Sequence, residues 1–191
     1  MVTHPISQTK PIWALDPAHS SIEFAVKHLV ISTVKGHFGK YEVALDFDVE
    51  QPERSHVEAR IDAASIDTRE AQRDAHLRSA DFFDAERHPY LTFTSKRVEP
   101  RGDGRYKVHG DLTIRGVTRP VALDAELGGI IKDPWGSRRA GISLEGALNR
   151  KDFGLTWNAA LETGGLVVGD NVKIAINAEL VQQQAQVAQA A

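Results

Sequence analysis

Alternation with a period of two dominates the chain. Between Ser20 and His28, Ile22, Phe24, Val26 and His28 share one face, while Ser21, Glu23, Ala25 and Lys27 share the other. From Tyr41 to Val49 every odd position is apolar, with Glu42, Asp46 and Asp48 set against them. The same rhythm runs through Val57–Ala63, Leu91–Ser95, Tyr106–Ile114, Val121–Leu127, Ile142–Leu148 and Val172–Leu180, with a short segment at Ile12–Leu15. Successive side chains on a strand point to opposite faces, so each run predicts a strand with one apolar and one wet face. One-sided strands point to antiparallel sheet, because parallel strands covered on both faces read as unbroken apolar runs. Turn chemistry agrees. Arg115-Gly116 reads as a two-residue hairpin turn, and Gly102-Asp103-Gly104 and Pro134-Trp135-Gly136 separate further strands. Pro120 lacks an N–H, which predicts a bulge or an unpaired edge position.

Two stretches break the period. Residues Asp67 to Ser79 favour a short polar helix near 68–79, with Asp67 as N-cap and Glu70 three positions on as in a capping box. Its apolar stripe is thin, so it is expected across an end of the sheet rather than in the core. The stretch from Arg150 to Asn171, with Phe153, Trp157, Gly164, Gly165 and Gly169, predicts a long connection of the kind that often carries function. Strands with a single apolar face bury it by stacking as a sandwich or closing as a barrel. The long strands and the single polar helix favour an all-β fold, an extended antiparallel eight-stranded up-and-down barrel. Such a barrel is just wide enough for its own side chains or one small ligand.

Composition narrows the picture. At 191 residues with 41% apolar content the chain suits one domain, expected over residues 10–182 with tails at 1–9 and 183–191. The 23 basic and 26 acidic residues leave a net charge of −3, without the basic excess that nucleic-acid partners require. The absence of cysteine excludes disulfides, thiolate metal sites and cysteine nucleophiles. No 18-residue apolar run predicts a transmembrane helix. The first residues, MVTHPISQTKPIW, lack the pattern of a secretory leader, so a cytoplasmic chain is expected.

Several segments resemble the YceI-like, or polyisoprenoid-binding, family. They are W-A-L-D-P-A-H-S-S-I-E-F at 13–24, V-K-H-L at 26–29, V-K-G-H-F at 34–38, S-I-D-T at 65–68 and R-D-A-H-L-R-S-A-D-F-F at 73–83. Further on come G-D-L-T-I-R-G-V-T at 110–118, N-R-K-D-F-G at 149–154 and V-G-D-N-V at 168–172. The resemblance implies a lipocalin-like barrel whose apolar pore holds a long-chain isoprenoid or similar amphiphilic lipid, as a carrier or storage protein. It implies no catalytic residue and no cofactor beyond a bound polyisoprenoid or fatty amphiphile.

The apolar faces offer Phe24, Val26, Phe38, Val43, Leu45, Phe47, Ile61, Phe93, Leu112, Ile114, Leu123 and Leu144 as pore lining, unless these side chains pack solidly on one another. His28 reads either as a hydrogen-bonded core residue or as a polar contact inside the pore. Arg73, His76 and Arg78 on the helix suit a diphosphate head group, or else pair with neighbouring acids. Phe153 and Trp157, with Arg150 and Asp152, are expected to fold over the pore mouth. His19, His28 and His37 are nine apart, an odd offset that sends strand side chains to opposite faces, so no metal site is expected. The alternative function is a lipid-modifying enzyme using His76 with Asp74 or Asp81 as a proton-transfer pair. A homodimer is a further expectation.

Overall fold

The computed structural model describes residues 11–29, 31–160 and 166–183. Its elements are β1 (Trp13–Leu15), β2 (Ser21–His28), β3 (Ser32–Phe38), β4 (Tyr41–Asp46), β5 (His56–Asp62), β6 (Ile66–Asp67), helix α1 (Ala71–Arg78), β7 (Tyr90–Gly102), β8 (Arg105–Ile114), β9 (Val117–Lys132), β10 (Arg138–Asn149) and β11 (Val168–Gln182). Among the described residues there are thus eleven strands, not eight. β6 is only two residues long, and β3 escapes the alternation count because its inward positions read Val34, Gly36, Phe38.

From β4 onward the sheet runs as an antiparallel meander through β5, β7, β8, β9, β10 and β11. Two tight turns fix its register. Asp103-Gly104 (φ 53° and 72°) and Arg115-Gly116 (φ 51° and 74°) have both central residues left-handed, the conformation whose twist matches a two-residue hairpin. Asp111 pairs with Pro120, while the pairing of β9 with β10 stops at Asp124. Pro120 therefore has a strand neighbour on one side only, as its missing donor requires.

Closure comes from the chain ends. β11 pairs with β2 (Ile174 opposite Phe24) and, further along, with β1 (Trp13 opposite Gln182). β3 pairs with β2 and is joined to β5 through β6, where Phe38 lies opposite Ile66. The ring is not hydrogen-bonded throughout. Among the described residues β4 pairs with β5 alone and β1 with β11 alone, and no backbone hydrogen bond joins the segment 13–20 to β4. The two edges still touch. The Trp13 and Phe47 rings meet edge to face at 5.7 Å, and the Tyr41 hydroxyl donates to the Ser20 carbonyl at 2.8 Å.

A cluster of buried apolar side chains lies at each end of the tube. One gathers Phe38, Ile61, Ile66, Phe82, Ile114, Phe153 and Leu155, with Leu77 and Phe83 packed against it. The other gathers Trp13, Phe47, Ala140 and Leu180. Helix α1 belongs to the first end, as its thin stripe predicts, but its cap differs from expectation. Glu70, not Asp67, is the N-cap, accepting from the N–H groups of Gln72 and Arg73, while Asp67 accepts from Arg69 N–H at 2.6 Å. Arg69 has φ 63°, a break in the chain that prevents the helix from starting at Asp67.

An ionic cluster ties the β1 segment down. Arg139 of β10 donates to Asp16 (2.9 Å), to Asp133 (2.7 Å) and to Glu179. His19 sits 3.0 Å from Asp16. Hydrogen bonding to His19, and then to Arg139, lowers the Asp16 pKa from 3.8 to about 2. The sign follows from linkage: a depressed carboxylate pKa adds stability that is complete above the ordinary value and is lost as pH falls through the folded value. The contribution of Asp16 should therefore vanish between about pH 4 and pH 2. Urea unfolding at pH 5 and at pH 2.5 should show a smaller acid loss for Asp16→Asn than for the wild type. Equal losses would contradict this role.

Candidate functional site: an apolar lumen

The inward faces line a partly open cavity of about 320 Å³, within the size range of small-molecule sites. Almost no polar atom reaches its wall. The expected lining is largely present: Phe24, Val26, Phe38, Val43, Leu45, Phe47, Ile61, Phe93, Leu112, Ile114, Leu123, Leu144 and Phe153 all contribute. They come from strands on every side of the ring, so the lumen is a property of the closed meander rather than of one loop.

Two glycines keep these rings against the wall. A Cβ on Gly36 would stand 2.4 Å from Phe24 Cζ. One on Gly110 would stand 2.5 Å from Phe93 Cε2 and 2.5 Å from the Thr94 carbonyl oxygen. Each ring occupies the volume that a side chain would otherwise take, so it lies flat on the sheet instead of projecting into the bore. At Gly110 part of the obstacle is backbone, which cannot swing aside. Gly110→Ala is expected to lower stability by about 1–3 kcal/mol in chemical denaturation through overpacking, with Phe93 displaced into the lumen. A loss below about 0.5 kcal/mol would show that the wall gives way freely.

His28 and Trp157 do not line the cavity. His28 is the last residue of β2, paired with Val168 and Ser32, and stays out of the lining although Val168 beside it contributes. Trp157 packs on the outside of the plug, with ring centroids 4.6 Å from His76 and 5.3 Å from Phe82. The helix cations are also elsewhere. Arg73 donates to Thr68 Oγ1 (2.7 Å) and to the Thr68 carbonyl (2.8 Å), and Arg78 donates to the Ala64 and Ile66 carbonyls, both at 2.8 Å. These guanidiniums staple α1 to the segment 64–68, which includes β6. His76 does pair with Asp81 (2.8 Å), but on the outer side of the plug, and Asp74 is buried as acceptor for the Thr68 N–H and hydroxyl. What the helix region gives the lumen is Leu77, Phe82 and Phe83. The last two lie in a non-periodic stretch and carry no sequence signal of facing inward.

Arg150 is the strongest polar feature beside the lumen. Its guanidinium is buried (4% exposed) and donates to the carbonyls of Leu155 (2.6 Å), Trp157 (2.8 Å) and Gly169 (3.0 Å). Burial pushes its pKa down while Asp170 acts in the opposite direction, and arginine stays charged throughout. The residue thus clamps the 155–157 segment onto the start of β11 and closes that end. Asp152 is exposed and takes no part in the clamp. Arg150→Met should cost about 3 kcal/mol of unfolding free energy, because it strands buried carbonyls without donors. A loss under about 1 kcal/mol would refute the clamp.

Sequence spacing did not foresee the donor atoms of Asp16, His19 and Glu179, which lie within 4.8 Å of one another. The convergence depends on β1 pairing with β11, far away in the chain. Arg139, bonded to both carboxylates, already supplies a cation there.

The architecture is thus that of a lipocalin-like barrel built around an apolar lumen. The model of the YceI-like domain matches residues 13–180, and the chain belongs to that family. It is 40% identical over 168 residues to the UPF0312 protein SAS2572 of Staphylococcus aureus, an alignment covering 87% of this chain and 95% of that protein. Among solved structures, the Campylobacter jejuni YCEI protein superposes with a TM-score of 0.73 at 36% identity, covering 83% of this chain and 90% of that one. Burkholderia cenocepacia BcnA gives 0.76 at 23% identity, covering 87% and 99%. A polyisoprenoid binding domain from Saccharophagus degradans gives 0.67 at 14% identity, covering 91% and 100%. The last two likenesses concern the fold alone.

Proposed function

We propose that this protein binds a long-chain isoprenoid or similar amphiphilic lipid inside the barrel, as a carrier or storage protein. The observation that carries the reading is the wall of the lumen, apolar on all sides and almost without polar atoms. Each buried CH₂ of a guest would contribute about 0.8 kcal/mol, so chain length rather than polar contact would set affinity. Membership of the YceI-like family and the fold shared with a polyisoprenoid binding domain support the same reading. Action by binding rather than catalysis, with no cofactor beyond the guest lipid, belongs to this proposal, as do residence in the cytoplasm and a homodimer. No helix among the described residues is long and apolar enough to cross a membrane.

Organic extraction of the purified protein followed by mass spectrometry tests the proposal. A long-chain isoprenoid or fatty amphiphile should be released from the wild type. Leu144→Trp, which fills the lumen, should fold and release at least tenfold less. Extracts without lipid, together with no uptake of an added long-chain isoprenoid alcohol, would overturn it. So would equal release from both proteins.

A further inference from the structure

A lipid that occupies this lumen has to get in, and both ends of the tube hold clusters of buried side chains. The side of the barrel offers a weaker place. The segment 13–20 runs antiparallel to the chain from Tyr41 to Phe47, with Ser20 near Tyr41 at one end and Trp13 near Phe47 at the other. These are two strand edges lying side by side without pairing: β4 spends its ladder on β5, and β1 on β11. Both lips reach the lumen, through Leu15 and Ser20 on one side and through Val43 and Leu45 on the other.

We infer that this seam is a lateral gate through which the apolar chain passes. The inference rests on the proposed lipid-binding reading. Parting any hydrogen-bonded pair of strands would expose a row of N–H and C=O groups that had been bonded to each other. Among the described residues, parting the seam breaks no backbone hydrogen bond. It breaks the Tyr41–Ser20 hydrogen bond and separates the Trp13 and Phe47 rings. A slot along the side also suits a long flexible guest, which could slide in along its length rather than enter end-on past the buried clusters.

The two lips are held unequally. The β1 lip is fastened to the barrel by the Asp16 N–H to Glu179 carbonyl bond (2.8 Å), by Ser20 Oγ accepting from Glu179 N–H (3.0 Å), and by Arg139 on Asp16. Among the described residues the backbone of β4 is paired with β5 alone. The structure therefore assigns β4 as the moving edge, the segment 13–20 as the fixed edge, and Tyr41 as the latch between them.

The chain lacks cysteine, so a pair introduced at the exposed Ala18 and Ala44, one on each lip, can be joined selectively. With a disulfide-containing bis-maleimide across Ala18→Cys/Ala44→Cys, exchange of a preloaded fluorescent long-chain fatty acid should slow at least tenfold. Reductive cleavage of the linker should restore the rate. Exchange at the same rate in linked and unlinked protein would overturn the gate and send the chain through an end. A readout without ligand separates this inference from the lipid reading. With nitroxide labels on Ala18→Cys and Ala44→Cys and no lipid present, Tyr41→Phe should lengthen and broaden the distance distribution across the seam. If that distribution is unchanged, the gate is wrong. If the seam loosens as stated but no lipid probe is taken up, the gate stands and the lipid reading falls.

Discussion

The pairing of β11 with the two N-terminal strands is the interaction on which the rest depends. A meander of one-sided strands has nowhere to put its apolar faces until its last strand finds its first. When Ile174 comes to lie opposite Phe24, and Trp13 opposite Gln182, those faces turn inward together and water is excluded from all of them at once. The contact is between residues about 150 positions apart in the chain, so its loop-closure entropy has to be met by the whole apolar interior. The lumen, the ionic cluster around Arg139 and the seam beside β4 all exist only in the closed form.

An apolar interior would ordinarily collapse to crystal-like density. Here the plugs hold the ends apart while glycines hold rings to the sides. The Arg150 clamp at one end and the Trp13–Phe47 contact at the other fix the length of the space. Phe24 on Gly36 and Phe93 on Gly110 fix its bore. The polar groups are kept out of it. Arg73 and Arg78 serve main-chain carbonyls around α1, and Asp16, Asp133 and Glu179 gather on Arg139 outside the tube.

Most of the wall was legible in the sequence, because period-two alternation reports directly on which side of a sheet a residue occupies. Phe24, Val43, Leu112 and Leu123 needed nothing more. The failures have physical causes. β3 was hidden because its central inward residue is Gly36, whose lack of a side chain is what makes room for Phe24. His28 has the right parity, but alternation carries no information about which side chains of an inward face border the cavity. Phe82 and Phe83 sit in a non-periodic turn, placed by their N–H bonds to the Ser79 and Leu77 carbonyls and by Arg115 donating to the Phe82 carbonyl rather than by any rhythm. The helix cations looked available because sequence shows charge but not the carbonyls that charge is spent on. The Asp16–His19–Glu179 convergence was invisible for the same reason as the barrel's closure: it is made across the ends of the chain.

The central claim is that the interior is a chamber for an elongated apolar guest rather than a core awaiting tighter packing. A crystal structure of the protein purified without detergent tests it most directly. The account predicts continuous tubular density along the axis, between Phe153 at one end and Phe47 at the other, in contact with Phe24, Phe93 and Leu144. Side chains closed onto one another across that axis, leaving no room for a chain, would contradict it.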